Sequence, residues 1–363
     1  MSKLVHVGIV GPLPPPAGGM ATQTRQLANL LGKEPVEISL VQNNKPYQPA
    51  WAAKLKGIRA AFRLIPYIVN VWKLAGKVDV IHLMANSGWS WQLFSAPVLW
   101  IGWLRKTPVI VNYRGGEAKT YFEKSFKWVS PSLNKAHEVV VPSGYLEKVF
   151  GDFGVTTQVV PNIINLDRFK PADKNIQSSP NQVFKLIITR NLEPIYGIET
   201  AINALAKARE HVPNICLAIA GTGPQKGELE QLVNQLDLQD VVSFVGLLDA
   251  EQIVDFYQSA DVMLNPTTVD NMPNSVLESL ASGVPVVTTN VGGIPYIVEQ
   301  GETALMVNVG DAQAMADEIV RLYREPETRQ KLVENGLNAV QPYAWPQVKG
   351  QWLSLYNRVG VGT

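Results

Sequence analysis

The sequence predicts an α/β protein of two doubly wound domains, each a parallel sheet with helices on both faces. Three observations carry that prediction. Short apolar runs recur along the chain, and most lead into a loop of Gly, Pro or Asn and then a helical pattern. The length, 363 residues, allows two separate cores. A polar stretch at 171–182, PADKNIQSSPNQ, divides the pattern in two and reads as a linker. Domains are therefore expected at 1–170 and 171–342. The closing segment, 343–363, has aromatic and aliphatic residues suited to packing across both.

Bulk properties narrow the class. Hydrophobic residues make up 46% and charged residues 17%, the balance of a folded chain rather than a disordered one. The net charge of +1 conceals an asymmetry. Residues 1–170 hold 20 Lys/Arg against 9 Asp/Glu, and residues 171–363 hold 12 against 22. The first half is thus expected to meet something anionic, and its basic residues match no nucleic-acid motif. The single cysteine, Cys216, is expected at a buried strand position. No signal peptide is evident, and the longest apolar run, 93–104, is too short to span a bilayer. The expectation is a cytoplasmic protein, peripheral to a membrane at most.

In the first half, a strand at 4–10 ends in a loop containing Gly18 and Gly19, and a helix with Leu27, Leu30 and Leu31 follows. Such a turn suits a ligand that approaches backbone, although no Gly-x-Gly-x-x-Gly is present. Residues 51–65 place Trp51, Leu55, Ile58, Phe62 and Ile65 on one helical stripe and Lys56, Arg59 and Arg63 on another. They read either as a helix on an anionic lipid surface or as a domain helix with a solvated basic side. A strand at 78–84 carries His82, and four of the nine tryptophans lie in the helical segment 89–104 that follows. A strand at 108–113 opens into Arg114-Gly115-Gly116-Glu117, a glycine loop with a cation and a carboxylate; strands at 139–141 and 159–160 complete the half.

In the second half, a strand at 184–188 leads to Arg190, placed at a strand's carboxyl end where phosphate binds in open sheets. A strand at 215–220 precedes Gly221-Thr222-Gly223-Pro224, and one at 241–245 ends at Gly246. The stretch 265–287 is the most informative. A loop with Asp270 passes through Asn271, Met272, Pro273, Asn274 and Ser275 into a helix that presents Glu278, and a strand at 284–288 follows. Pro273 suits a first helical turn, Asn274 and Ser275 can cap amides, and free amides at a helix start attract anions. Asp270 and Glu278, eight positions apart, then flank an anion site as acceptors for sugar or ribose hydroxyls. Gly292-Gly293 make a last turn before a helix.

Taken in order and spacing, these motifs resemble the retaining glycosyltransferases of family 4, which have the two-domain GT-B fold. The resemblance covers nearly the whole chain and is strongest at 270–287, with further matches at Gly18-Gly19, Arg190 to Gly197, Gly221 to Pro224, Gly292-Gly293 and the closing helix. It implies two Rossmann-like domains facing a cleft, with the last helix crossing back to the first domain. It also implies transfer of a sugar from a nucleotide-sugar co-substrate, with retained configuration and neither metal nor cofactor. By that resemblance Glu278 holds the donor ribose, Asp270 the donor sugar, and Arg190 the diphosphate. Gly18, Gly19, Tyr196, Gly221, Gly246 and residues 271–275 line the donor, and Arg114, Glu117 and His82 belong to the acceptor side. The charge split and the Trp-rich first half lead to the expectation of a saccharide or lipid-linked acceptor, in bacterial surface polysaccharide or glycolipid assembly. Three positions depart from the family pattern: Asp270 replaces a Glu, Tyr196 a Lys, and Arg114-Gly115 a His-Gly step. A nucleotide-sugar epimerase of the same fold and a non-catalytic sugar-nucleotide-binding protein are the alternatives.

Overall fold

The computed structural model describes residues 4–15, 18–47, 49, 51, 54, 59–172 and 183–360. Contacts divide the chain into two compact units, Met1–Ile163 with Trp345–Thr363, and Ile164–Ala344. Most of the expected linker, 173–182, lies outside the described residues, as do Pro16 and Ala17 of the first glycine loop.

The first unit runs β1 (Val5–Gly11), α1 (Gly19–Leu31), β2 (Val36–Gln42), α2 (Arg59–Ala75), β3 (Val80–Ala85), α3 (Ala96–Arg105), β4 (Val109–Tyr113), α4 (Ala118–Leu133), β5 (Glu138–Val141), α5 (Gly144–Gly151) and β6 (Gln158–Val159). The second runs β7 (Phe184–Thr189), α6 (Ile198–Ala208), β8 (Ile215–Ala220), α7 (Lys226–Gln235), β9 (Val242–Gly246), α8 (Gln252–Ser259), β10 (Val262–Asn265), α9 (Asn274–Ala281), β11 (Val286–Thr289), β12 (Leu305–Val307), α10 (Ala312–Arg324) and α11 (Pro326–Ala339). Helix α12 (Trp345–Gly360) then belongs to the first unit.

Both sheets are parallel and six-stranded, ordered β2-β1-β3-β4-β5-β6 and β12-β11-β10-β7-β8-β9. Central strands are buried on both faces, which is why β3 is apolar at nearly every position rather than alternating. In the first sheet, Tyr67, Val98, Phe122 and Phe150 pack one face, while Leu27, Leu31, Trp352 and Tyr356 pack the other. In the second, Ile198, Leu205 and Ile319 pack one face and Tyr257, Leu277 and Leu280 the other. Helix α12 is therefore a core element of the first unit. Its outer end is tied by Lys349 to Glu34 at 3.2 Å and by the Trp345 indole to the same carboxylate at 3.0 Å.

The strand orders define where ligands fit. Chain order reverses between β7 and β10 in the second sheet and between β1 and β3 in the first. At such switch points the loops leave in opposite directions and open a crevice outside the carboxyl ends of the strands.

Several local expectations are corrected. The strand expected at 284–288 starts at Val286, because Pro285 has no N–H for the ladder, though its carbonyl accepts the Met263 N–H at 2.9 Å. The helix expected after Gly292-Gly293 is only a 3₁₀ turn, Ile294–Tyr296. Cys216 lies on β8 but is half-buried rather than buried. Residues 164–170 group with the second unit: the Ile164 N–H donates to the Tyr343 carbonyl at 3.0 Å, and the Phe169 ring meets Tyr257 at 5.9 Å.

Candidate functional site

At the switch point of the second sheet, one arginine is fixed from three sides. Arg190 follows β7, Asn265 ends β10, and Asp270 lies in the loop beyond β10. Arg190 Nε and Nη2 donate to Asn265 Oδ1 at 3.0 and 2.9 Å, and Nη2 also donates to Asp270 Oδ2 at 2.5 Å. The Arg190 and Asp270 side chains are only 13% and 16% exposed, so water screens the pair weakly. The guanidinium lies 5.0 Å from the centre of the Tyr196 ring, in place of the lysine the resemblance would put there. Asn265 is itself oriented by donating from Nδ2 to Thr288 Oγ1 at 2.9 Å.

A second cluster springs from the same strand end. The Tyr257 hydroxyl donates to Glu278 Oε2 at 3.0 Å and lies 2.7 Å from Thr189 Oγ1. The tyrosine proton points at the carboxylate, so Thr189 is the donor in the second bond. Burial pushes the Glu278 carboxyl up to about 7, against the lowering influence of the Tyr257 bond and the charges of Arg168 and Arg190. Helix α9 begins at Asn274, with Pro273 outside it at φ −66° and ψ 122°; this proline has no side chain able to cap. Ser275 is therefore inside the first turn, where its buried hydroxyl has no hydrogen-bond partner. Met272 and Asn271 are buried beside it.

The glycines of this unit serve loop-on-loop packing. The Gly293 N–H donates to the Asp270 carbonyl at 2.9 Å, and a Cβ at Gly293 would lie 1.6 Å from the Asn271 carbonyl oxygen. At Gly221, with φ +146°, a Cβ would lie 2.0 Å from the Arg190 carbonyl oxygen. Gly246 closes β9 at positive φ, and its carbonyl accepts the Gly221 N–H at 2.8 Å. Loops bearing Arg190 and Asp270 are thus set by contacts that a side chain would abolish.

The first unit has its own strand-end network. Asn112, on β4, accepts from Arg114 Nε at 3.0 Å through Oδ1, so its Nδ2 faces His82 Nε2 at 2.9 Å as donor. That makes Nδ1 the protonated ring nitrogen, donating to the Tyr356 hydroxyl at 2.7 Å. Burial, with the Arg114 charge adding, pushes the imidazole down to about 3 and keeps it neutral. His82 is wholly buried, so it does not join Arg114 and Glu117 at a surface; it is linked by hydrogen bonds to Arg114 through Asn112. The cause is its place on the central strand β3, under α12. Glu117 is exposed just before α4, and Gly18, extended at φ −179°, borders open space before Gly19 starts α1. Asn265, Thr189, Tyr257, Asn112 and Tyr356 are the network members that sequence reasoning missed. A lone Asn at or next to the end of an apolar strand is the signal that marks two of them, Asn265 and Asn112.

Of the stripe at 51–65, Leu55, Lys56 and Ile58 lie outside the described residues, and α2 is described from Arg59 onward. Trp51 meets Phe62 edge-on at 5.7 Å, and both Trp51 and Ile65 are exposed. Among the described residues no group of three or more His, Cys, Asp or Glu is placed to hold a metal, and no helix is long and apolar enough to cross a membrane.

The sequence pattern of glycosyltransferase family 4 matches residues 17–168, and that of glycosyl transferases group 1 matches residues 169–339. The chain belongs to this family of glycosyltransferases. It is similar to the family's phosphatidyl-myo-inositol mannosyltransferase of Mycobacterium leprae, 26% identical over 298 residues that cover 80% of this chain and 76% of the relative. Other relatives are matched over 41–58% of their length. Among solved structures, sucrose-phosphate synthase of Thermosynechococcus elongatus has a TM-score of 0.80 at 22% identity, covering 99% of this chain and all of that one. HepE of Anabaena in complex with UDP has a TM-score of 0.76 at 17% identity, covering 97% and 99%. The fold is that of GT-B glycosyltransferases.

Proposed function

We propose that the protein is a retaining glycosyltransferase that moves a sugar from a uridine-diphosphate-type donor to a saccharide or lipid-linked acceptor. The observation that carries this reading is the Arg190–Asp270–Asn265 cluster at the switch point of the second sheet, with Glu278 on the adjoining helix. Carboxylates accept hydroxyls: Glu278 takes those of the ribose and Asp270 those of the sugar. Arg190 and the amides of Met272 and Asn274, with Ser275, face the diphosphate, where preorganised donors stabilise the charge that develops as it leaves. Gly18, Gly19, Tyr196, Gly221 and Gly246 complete the donor contacts. The C1–diphosphate bond breaks, the acceptor oxygen bonds to C1 on the same face, and its proton passes to the departing phosphate oxygen. No protein nucleophile and no metal takes part.

HepE crystallised with UDP and with UDP-glucose supports the donor class, and the M. leprae relative, named for phosphatidyl-myo-inositol, supports a lipid-linked acceptor. Arg114 and Glu117 face the acceptor, with His82 positioning Arg114 through Asn112. The setting is the cytoplasmic face of a bacterial membrane, in surface polysaccharide or glycolipid assembly, with residues 51–65 touching lipid. The test is a screen of labelled nucleotide-sugars with membrane extract in EDTA, wild type against Glu278→Ala. Label enters lipid or polysaccharide with the wild type and falls at least a hundredfold in the variant; transfer unchanged by the substitution defeats the assignment. Asp270 already pairs the Arg190 charge and Tyr196 stands where a lysine is usual, which favours a second reading, binding without transfer.

A further inference from the structure

Away from the strand ends, the outer face of α2, α3 and α4 exposes aromatics that no core packing explains. On α3, Trp100, Trp103 and Leu104 stand opposite the buried Val98, Leu99 and Gly102, and Trp103 is 55% exposed. On α2, Ile65, Val69 and Trp72 recur at helical spacing and are 64%, 45% and 44% exposed. Cations join the helices. The Arg105 guanidinium lies 5.0 Å over Trp72, and the Lys135 ammonium lies 5.3 and 4.5 Å from the Trp100 and Trp103 rings. On α4, Tyr121 and Trp128 are seven residues apart and so share one side of the helix, and Lys135 follows in the turn just past its end. Tyr121 touches Gln92 at 3.4 Å and Lys135 touches the α3 tryptophans, so Trp128, 79% exposed, belongs to the same strip.

Residues 59–135 hold eleven Lys/Arg against three Asp/Glu. Among the described residues Arg105, Lys106, Lys124, Lys127 and Lys135 form no ion pair. Indoles with one apolar and one wet side, interleaved with unpaired cations, match the headgroup level of an anionic bilayer. A second copy of the chain is a poor occupant, because a two-fold contact would press the same cations together. We propose that the α2–α3–α4 face docks on an anionic phospholipid surface, indoles among the headgroups and cations on lipid phosphates. Trp89 follows directly on Gly88, in the loop beyond the carboxyl end of β3, so the same chain segment leads to the strand-end network of the first unit. That the lipid delivered there is the acceptor rests on the proposed function; the docking itself does not.

Flotation with phosphatidylcholine vesicles, with and without phosphatidylglycerol, tests the proposal. The wild type floats only with the anionic vesicles and is released by salt. Trp103→Ser/Trp128→Ser lowers partitioning at least tenfold, and Arg105→Gln/Lys124→Gln/Lys135→Gln lowers it on the order of a hundredfold. UDP binding in solution, measured by calorimetry, is equal in all three proteins; this shows that the variants fold and tests the transferase reading separately. No flotation of the wild type, or undiminished flotation of either variant, overturns the proposal. So does a wild-type dimer that the tryptophan substitutions dissolve.

Discussion

Glu278→Gln separates what the carboxylate costs the fold from what it gives the ligand. Burial pushes this carboxyl from 4.5 to about 7, so folding favours its protonated form. The sign follows: the contribution to stability is fully present below the unfolded value of 4.5 and is lost as pH rises through about 7. At about 1.4 kcal/mol per pH unit the upper bound on that loss is about 3 kcal/mol, and partial exposure of the side chain reduces it to about 1–2. Glutamine keeps an oxygen to accept from Tyr257 and carries no charge to desolvate. The variant is therefore more stable than wild type by about 1–2 kcal/mol at pH 8, and the gain vanishes near pH 4.5. Urea unfolding at both pH values reads this directly. If the ionised carboxylate accepts the ribose hydroxyls, UDP affinity of the wild type falls toward tenfold per pH unit below about 7. In the variant, affinity is at least tenfold weaker and flat with pH. A Gln variant less stable at pH 8, or one with the wild-type affinity and pH profile, refutes the reasoning.

Three further outcomes follow from single contacts. Tyr257→Phe removes the bond that lowers the Glu278 carboxyl, so the midpoint of the UDP-binding pH profile moves upward; calorimetry across pH reads the shift. Gly293→Ala drives a methyl against the Asn271 carbonyl, displacing the Asp270 loop; it costs about 1–3 kcal/mol by denaturant melting and weakens donor binding together with stability. Tyr356→Phe leaves the buried Nδ1–H of His82 without an acceptor, a loss of about 1–3 kcal/mol, and NMR of the ring nitrogens detects the altered tautomer.

Central strands were legible in the amino-acid sequence because burial on both faces makes them apolar throughout. Two of the four edge strands, β2 and β12, were not. In β2 no position is fully buried, and β12 has only three residues, so neither stands out from loop composition. Within the site, Arg190, Asp270 and Glu278 drew notice because each lies in a loop or helix start just past an apolar run. What they touch was invisible. Arg190 meets partners 75 and 80 residues away, an encounter decided by β7 pairing with β10 rather than by spacing. The Gly292-Gly293 turn was visible as glycine, but its duty to make room for the Asp270 loop belongs to the packed state alone.

That α12 completes the first unit has a consequence for how the molecule is made. Residues 164–344 form a contiguous unit, whereas the sheet that emerges first from the ribosome lacks Trp352 and Tyr356 until the last helix is synthesised. The earlier-made half must therefore wait, with one greasy face uncovered, while the later-made half has every residue it needs. Chaperone demand during translation should fall on β1, β3 and β4, and a released chain that stops after residue 344 should have a second unit that resists protease and a first unit that does not.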